Sequence, residues 1–132
     1  MTAPDPAPAP HPPERLCAAA DLEDGGLAHV FDLLEYGQPV RGFVLRFDGK
    51  PVGYINRCAH VPTEMDWQEG RFLDDDRRWI ICSIHGAAYE PRNGQCVGGP
   101  CVGKRLKPLR VEERDGEVYW YPQAELAPAF GA

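Results

Sequence analysis

The residues best suited to chemistry in this chain are two short pairs, Cys58-Ala59-His60 and Cys82-Ser83-Ile84-His85. A thiolate and an imidazole one or two residues apart can both face one metal centre through sulfur and nitrogen. Each pair directly follows an apolar stretch, residues 51–56 and 79–81, so both fall on loops leaving strands. Two such loops side by side bring four ligands to a common point. Residue type alone leaves the metal open, because tetrahedral zinc accepts two cysteines and two histidines as readily as an iron centre does.

The elements that must position these loops read as β-strands. Residues 27–34 (LAHVFDLL) form an apolar run suited to a strand, with some helical ambiguity from the leucines. Residues 42–47 (GFVLRF) and 51–56 (PVGYIN) flank Asp48-Gly49-Lys50, a hairpin signal because Asp-Gly tolerates the positive φ of a tight turn. Residues 79–82 (WIIC) are a short buried strand. Residues 86–90 and 95–97 flank Asn93-Gly94, and residues 109–113 and 117–121 flank Asp115-Gly116. Three turn signals and no long segment of helical period predict an all-β chain. A short helical turn is expected at 62–67, and no internal repeat is visible.

With 132 residues there is room for one domain of ordinary size. The first 13 residues hold six prolines, which remove backbone donors and fix φ, so residues 1–15 are expected to be a disordered tail. The domain is expected over 16–126, its ligand-bearing part at about 56–101, with a frayed end at 127–132. A net charge of −6 argues against nucleic-acid binding and favours a basic docking site on a protein partner. No apolar run reaches the length of a membrane span, and the N-terminus lacks a secretory signal pattern, which together predict a cytoplasmic protein. In a reducing compartment, five cysteines of which two stand beside histidines argue for metal ligation before disulfides.

These residues resemble the Rieske ferredoxins. That family's pattern of C-x-H, a spacer, C-x-x-H-G, a tight turn and a Gly-Pro loop before a final hairpin is met by Cys58 and His60, then Cys82, His85 and Gly86, then Asn93-Gly94, Gly99-Pro100 and Asp115-Gly116. The resemblance covers residues 27–122. It implies a Rieske fold of stacked antiparallel sheets, with a small cluster-binding subdomain formed by two loops. It also implies one [2Fe–2S] cluster, with Cys58 and Cys82 on one iron and His60 and His85 on the other. Such a site is neutral when oxidised and carries one negative charge when reduced. It is therefore easier to reduce than a four-thiolate cluster, and its potential falls within roughly −150 to +300 mV.

High-potential members join the two loops by a disulfide at the places held here by Thr63 and Ile84, and have a serine where this chain has Ala87. Both features are absent, while the tyrosine donor of those members is kept as Tyr89. A low-to-intermediate potential follows from the resemblance. Gly86 and Pro100 are the other residues expected close to the cluster. Departures from the pattern are Pro62, Ser83 and a 21-residue spacer between His60 and Cys82, with a charged tip at 74–78.

The resemblance implies a soluble one-electron carrier between a reductase and a terminal oxygenase or related redox enzyme, and no enzyme in its own right. The chain has no dinucleotide fingerprint and no room for a mononuclear-iron domain. Alternatives are a small Rieske subunit of a larger oxidoreductase and a zinc-stabilised Cys₂His₂ interaction module. Oligomeric state is open. Cys17, Cys96 and Cys101 are expected to be thiols, with a Cys96–Cys101 pair undecided. Trp67, Trp79 and Trp120 are expected in the core or shielding it.

Overall fold

A computed structural model describes residues 12–59, 63–84 and 86–129. Among them the regular structure is β, apart from one 3₁₀ turn at Ala19–Asp21. The strands are β1 (Glu14–Ala18), β2 (His29–Glu35), β3 (Gln38–Phe47), β4 (Lys50–Ile55), β5 (Ile80–Ile81), β6 (Ala88–Tyr89), β7 (Cys96–Gly98), β8 (Pro108–Leu109), β9 (Val111–Arg114), β10 (Glu117–Trp120) and β11 (Leu126–Pro128). They form three antiparallel sheets ordered β1-β10-β9, β11-β2-β3-β4-β8 and β5-β6-β7. The all-β reading holds, and Cys82 directly follows β5 of the third, small sheet.

The central strand β3 shows why the sheets stack. Phe43, Val44 and Leu45 are consecutive and all buried, as expected when both faces of a strand are covered. Phe43, Leu45 and Phe47 join the largest core, together with Cys58, Cys82 and Tyr89, whereas Val44 packs with Cys17, Leu22 and Val118 beneath the β1-β10-β9 sheet. A third cluster, of Leu33, Ile55, Leu109, Trp120 and Leu126, fills the space beside it. The site therefore rests directly on the main core.

Two ends differ from expectation. Glu14 and Arg15, assigned to the tail by composition, pair with Trp120 and Tyr119 as the start of β1. Ala127 and Pro128, assigned to a frayed end, pair with Leu34 and Leu33 as part of β11. In both cases the partner is distant in sequence, so no local pattern announces the strand. Of the expected helical turn at 62–67, the described residues 63–67 are not helical. The residues of the proline tail up to 11 lie outside those described.

The candidate metal centre

The first cysteine loop leaves β4. The Cys58 N–H donates to Thr63 O at 2.9 Å, closing the loop on itself. Asn56, the residue after β4 and buried, reaches across its base. Its Oδ1 accepts the Met65 N–H at 2.8 Å, and its Nδ2 donates to Asp66 Oδ1 at 2.8 Å. Asp66 Oδ2 in turn accepts the Gly70 N–H at 3.0 Å. One amide side chain therefore holds both ends of the loop and ties it to the spacer.

The second loop leaves β5. The Cys82 N–H donates to Ala87 O at 2.9 Å, and Gly86 N–H donates to Cys82 O at 2.8 Å. Gly86 sits at φ +75° with open space around it, so conformation rather than crowding calls for glycine there. The Ser83 N–H donates to Met65 O at 3.0 Å and ties the second loop to the first. The spacer reaches β5 through a narrow turn. Asp74 N–H donates to Trp79 O, Ile81 N–H to Phe72 O, and Asp74 Oδ1 accepts the Arg78 N–H at 2.9 Å.

Cys58 and Cys82 are both buried in the same core. Tyr89 Oη lies 3.4 Å from Cys58 Sγ and accepts the Ala59 N–H at 2.9 Å, and it can donate its own proton to a deprotonated, metal-bound Cys58 sulfur. Burial first, then the bond to Cys58, pushes the Tyr89 hydroxyl well above its ordinary value, so it stays a donor. Charge on Cys82 acts on it in the same direction. Two buried soft donors, on loops bonded to each other and with a hydroxyl beside Cys58, fit a thiophilic metal group. His60 and His85, the other two expected ligands, lie outside the described residues.

A third loop, 98–103, meets the second. Gly99 has φ +87°, and a methyl group added there would stand 3.0 Å from Ala87 Cα and 3.1 Å from Gly86 O. The close approach is made by Gly99, while the neighbouring Pro100 is exposed. Cys96 and Cys101 are joined by a disulfide, which replaces the two thiols expected from composition. Cys17 is buried in a different cluster from the cysteine loops, and burial pushes its thiol up. Trp120 is core as expected, but Trp67 is 79% exposed, at the rim of a groove also lined by Ile81 and Ser83.

Next to Cys58, Arg57 pairs with Glu35 through both guanidinium nitrogens, at 2.6 and 3.2 Å, and Lys107 joins at 2.7 Å from Glu35 and 3.0 Å from Glu125. The Arg57 bond, then that of Lys107, holds the Glu35 carboxyl down to about 2 against a burial effect of opposite sign. Asn56 and this charge network went unseen in the sequence because they lie outside the metal-ligand pattern.

An antiparallel β domain that presents two mutually bonded cysteine loops, with a third loop against them, is the architecture of an iron–sulfur domain. The family model described as Rieske [2Fe-2S] domain matches residues 14–123, and the chain belongs to that family. Among solved structures it is similar to the ferredoxin of carbazole 1,9a-dioxygenase from Nocardioides aromaticivorans IC177. That match has 22% identity over 84% of this chain and 98% of the other, with a TM-score of 0.66. It is also similar to a chain in a complex of reduced oxygenase and oxidised ferredoxin of carbazole 1,9a-dioxygenase, at 23% identity over 81% and 90% of the two chains, TM-score 0.62. The terminal oxygenase of carbazole 1,9a-dioxygenase from Novosphingobium sp. KA1 shares the fold over 83% of this chain but only 28% of its own, at 22% identity and TM-score 0.62. At these identities the likeness concerns the fold. No curated protein matches the chain. Among the described residues, no helix is long and apolar enough to cross a membrane.

Proposed function

We propose that this chain is a cytoplasmic, soluble one-electron carrier. It would hold one [2Fe–2S] cluster through Cys58, His60, Cys82 and His85, and pass electrons from a reductase to a terminal oxygenase or related redox enzyme. A cluster bound there supplies reversible uptake of one electron at a potential raised by its two imidazoles. The chain's own residues do the rest. Cys58 and Cys82 offer thiolates from a dry core, Tyr89 offers a proton to Cys58 Sγ, and Asn56 and Ser83 keep the two loops in register.

The observation that carries the reading is family membership over residues 14–123, joined to the burial of both cysteines in one core, with the Tyr89 hydroxyl 3.4 Å from Cys58 Sγ. The chain is similar over 98% of the ferredoxin of carbazole 1,9a-dioxygenase, and over 28% of the oxygenase that shares its fold. The net charge of −6 suits a partner with a basic docking face.

Absorption and EPR spectra of anaerobically purified protein test the proposal. A brown protein with a rhombic signal after dithionite is expected. A colourless protein carrying stoichiometric zinc would overturn it. His60→Cys and His85→Cys are each expected to shift the spectrum and lower the potential, and an unchanged spectrum would remove that histidine from the ligand set.

A further inference from the structure

The Cys96–Cys101 disulfide stands where it can act on the cysteine site from outside. Cys96 lies in β7 directly opposite Tyr89 in β6, and Gly98 lies opposite Ala88. Cys96 and Cys101 also belong to the core that holds Cys58, Cys82 and Tyr89. The ring closed by the bond contains Gly98, Gly99 and Pro100, and its Gly99 is packed on Gly86 and Ala87 of the second loop. On the other side the turn is held by Cys96 N–H to Lys104 O at 2.9 Å and Lys104 N–H to Cys101 O at 2.8 Å. Val97 and Val102, beside the bond on the surface, are 49% and 70% exposed. Loop 97–103 holds three glycines and two exposed valines, so beyond the two core cysteines it has little apolar burial to resist local opening once the cross-link is gone.

We propose that Cys96–Cys101 is a thiol–disulfide exchange site for a dithiol, and that its reduction releases loop 97–103 from the second cysteine loop and loosens the strand that faces Tyr89. Both cysteines are buried, Cys96 at 8% and Cys101 at 0% exposure, so the incoming thiolate attacks Cys96 as the surrounding loop opens locally. A mixed disulfide forms on Cys96 as the Cys96–Cys101 bond breaks, and Cys101 leaves as a thiolate that takes a proton. The second thiol of the reductant, once deprotonated, closes onto the first and expels Cys96, which takes the other proton. The dithiol loses two electrons to become a disulfide, and Cys96 and Cys101 gain them as thiols. Loosening of the site is the consequence, and it rests on the proposed cluster; the exchange itself does not.

The full chain, purified without thiol reagents, is alkylated under denaturing conditions and cut with trypsin. The peptide from Asn93 to Lys104 carries both cysteines and no internal cleavage site. It is expected unalkylated and lighter by two hydrogens than after reduction. Amide exchange over 97–103 and 86–89 is then followed in the native protein with dithiothreitol, or with a thioredoxin-type dithiol protein at far lower concentration. Roughly tenfold faster exchange is expected on reduction. Opening by the dilute protein assigns a protein reductant, and opening by dithiothreitol alone assigns a small one. The double variant Cys96→Ser/Cys101→Ser is expected to exchange at the reduced rate with no response to dithiol. In the brown protein, iron release to a chelator is expected to rise several-fold on reduction. The proposal is overturned if the peptide already bears two alkylated thiols, or if exchange is the same in both redox forms. A protein without an iron–sulfur spectrum overturns the carrier reading instead, and the peptide and exchange measurements still decide the clamp.

Discussion

Tyr89 Oη takes the N–H of Ala59 and lies 3.4 Å from the sulfur of Cys58, the residue before it. When Cys58 is a thiolate it carries no proton, and the hydroxyl is then the donor in this contact. A donor aimed at a metal-bound sulfur stabilises the more negative, reduced state, so its loss lowers the potential. Tyr89→Phe keeps the buried ring and removes only the donor. The midpoint potential is expected to fall by roughly 30–60 mV, the one-electron equivalent of one hydrogen bond. Protein-film voltammetry measures it, and an unchanged midpoint removes Tyr89 from the account.

Glu35 gives the fold an acid-sensitive joint. Its folded value of about 2 lies below the ordinary 4.5, because Arg57 and Lys107 favour the carboxylate. A depressed carboxyl contributes stability in full above the ordinary value and loses it as pH falls towards the folded value. The Glu35 side chain is 11% exposed but that of Arg57 is 37% exposed, so solvent screens part of the gain and about 2 kcal/mol remains. Glu35→Gln is expected to cost about that much at neutral pH. Denaturant melts should show the gap between wild type and variant closing as pH falls from 4.5 towards 2.

Where chemistry is local, it was readable from the chain alone. Asp48-Gly49 and Asp115-Gly116 turn with both residues at positive φ, as Asp-Gly pairs permit. The turn at Tyr36-Gly37 has the same backbone signs but was missed, because a tyrosine at φ 51° carries no turn signal. Strands β1 and β11 exist through pairing with β10 and β2, far away in sequence, and no pattern within them says so. The cysteine loops were legible from spacing. Asn56, whose buried amide spans the first loop, was not, since one asparagine at the end of a strand looks like any other. The apolar character of Trp67 suggested core, yet its place on the spacer turns it out to solvent.

Two glycines at nearly the same φ separate crowding from conformation. Gly94 (φ 77°) is buried, and a methyl group there would stand 2.8 Å from Tyr54 Cε1, whose hydroxyl donates to Pro91 O at 2.6 Å. Gly37 (φ 78°) has nothing within 4 Å. Gly37→Ala is expected to cost about 1 kcal/mol from backbone strain alone. Gly94→Ala adds displacement of a buried, hydrogen-bonded ring and is expected to cost about 3 kcal/mol. Equal losses in a thermal melt would show that Tyr54 yields freely and that the contact does not hold the turn.

Asn56 must be an amide, and the reason can be tested by charge. Its oxygen accepts the Met65 N–H and its nitrogen donates to Asp66 Oδ1, so one position needs an acceptor and a donor at once. Asn56→Asp keeps the acceptor and sets a second carboxylate against Asp66. Two carboxylates at hydrogen-bond distance cannot both ionise, so one of the pair holds a proton up to a higher pH than usual. A raised value means the variant's folded state is favoured at low pH and loses stability as pH rises through it. Asn56→Ala loses both bonds at every pH and is expected to cost about 2 kcal/mol. Asn56→Asp should therefore match or exceed that loss at neutral pH and recover towards wild type near pH ~4, before the Glu35 joint begins to fail. Melts of the two variants across that range, with amide exchange at Met65 as the local reporter, separate the outcomes. An Asn56→Asp variant whose stability deficit does not change with pH would mean that Asp66 turns away, and that the amide holds the loop through Met65 alone.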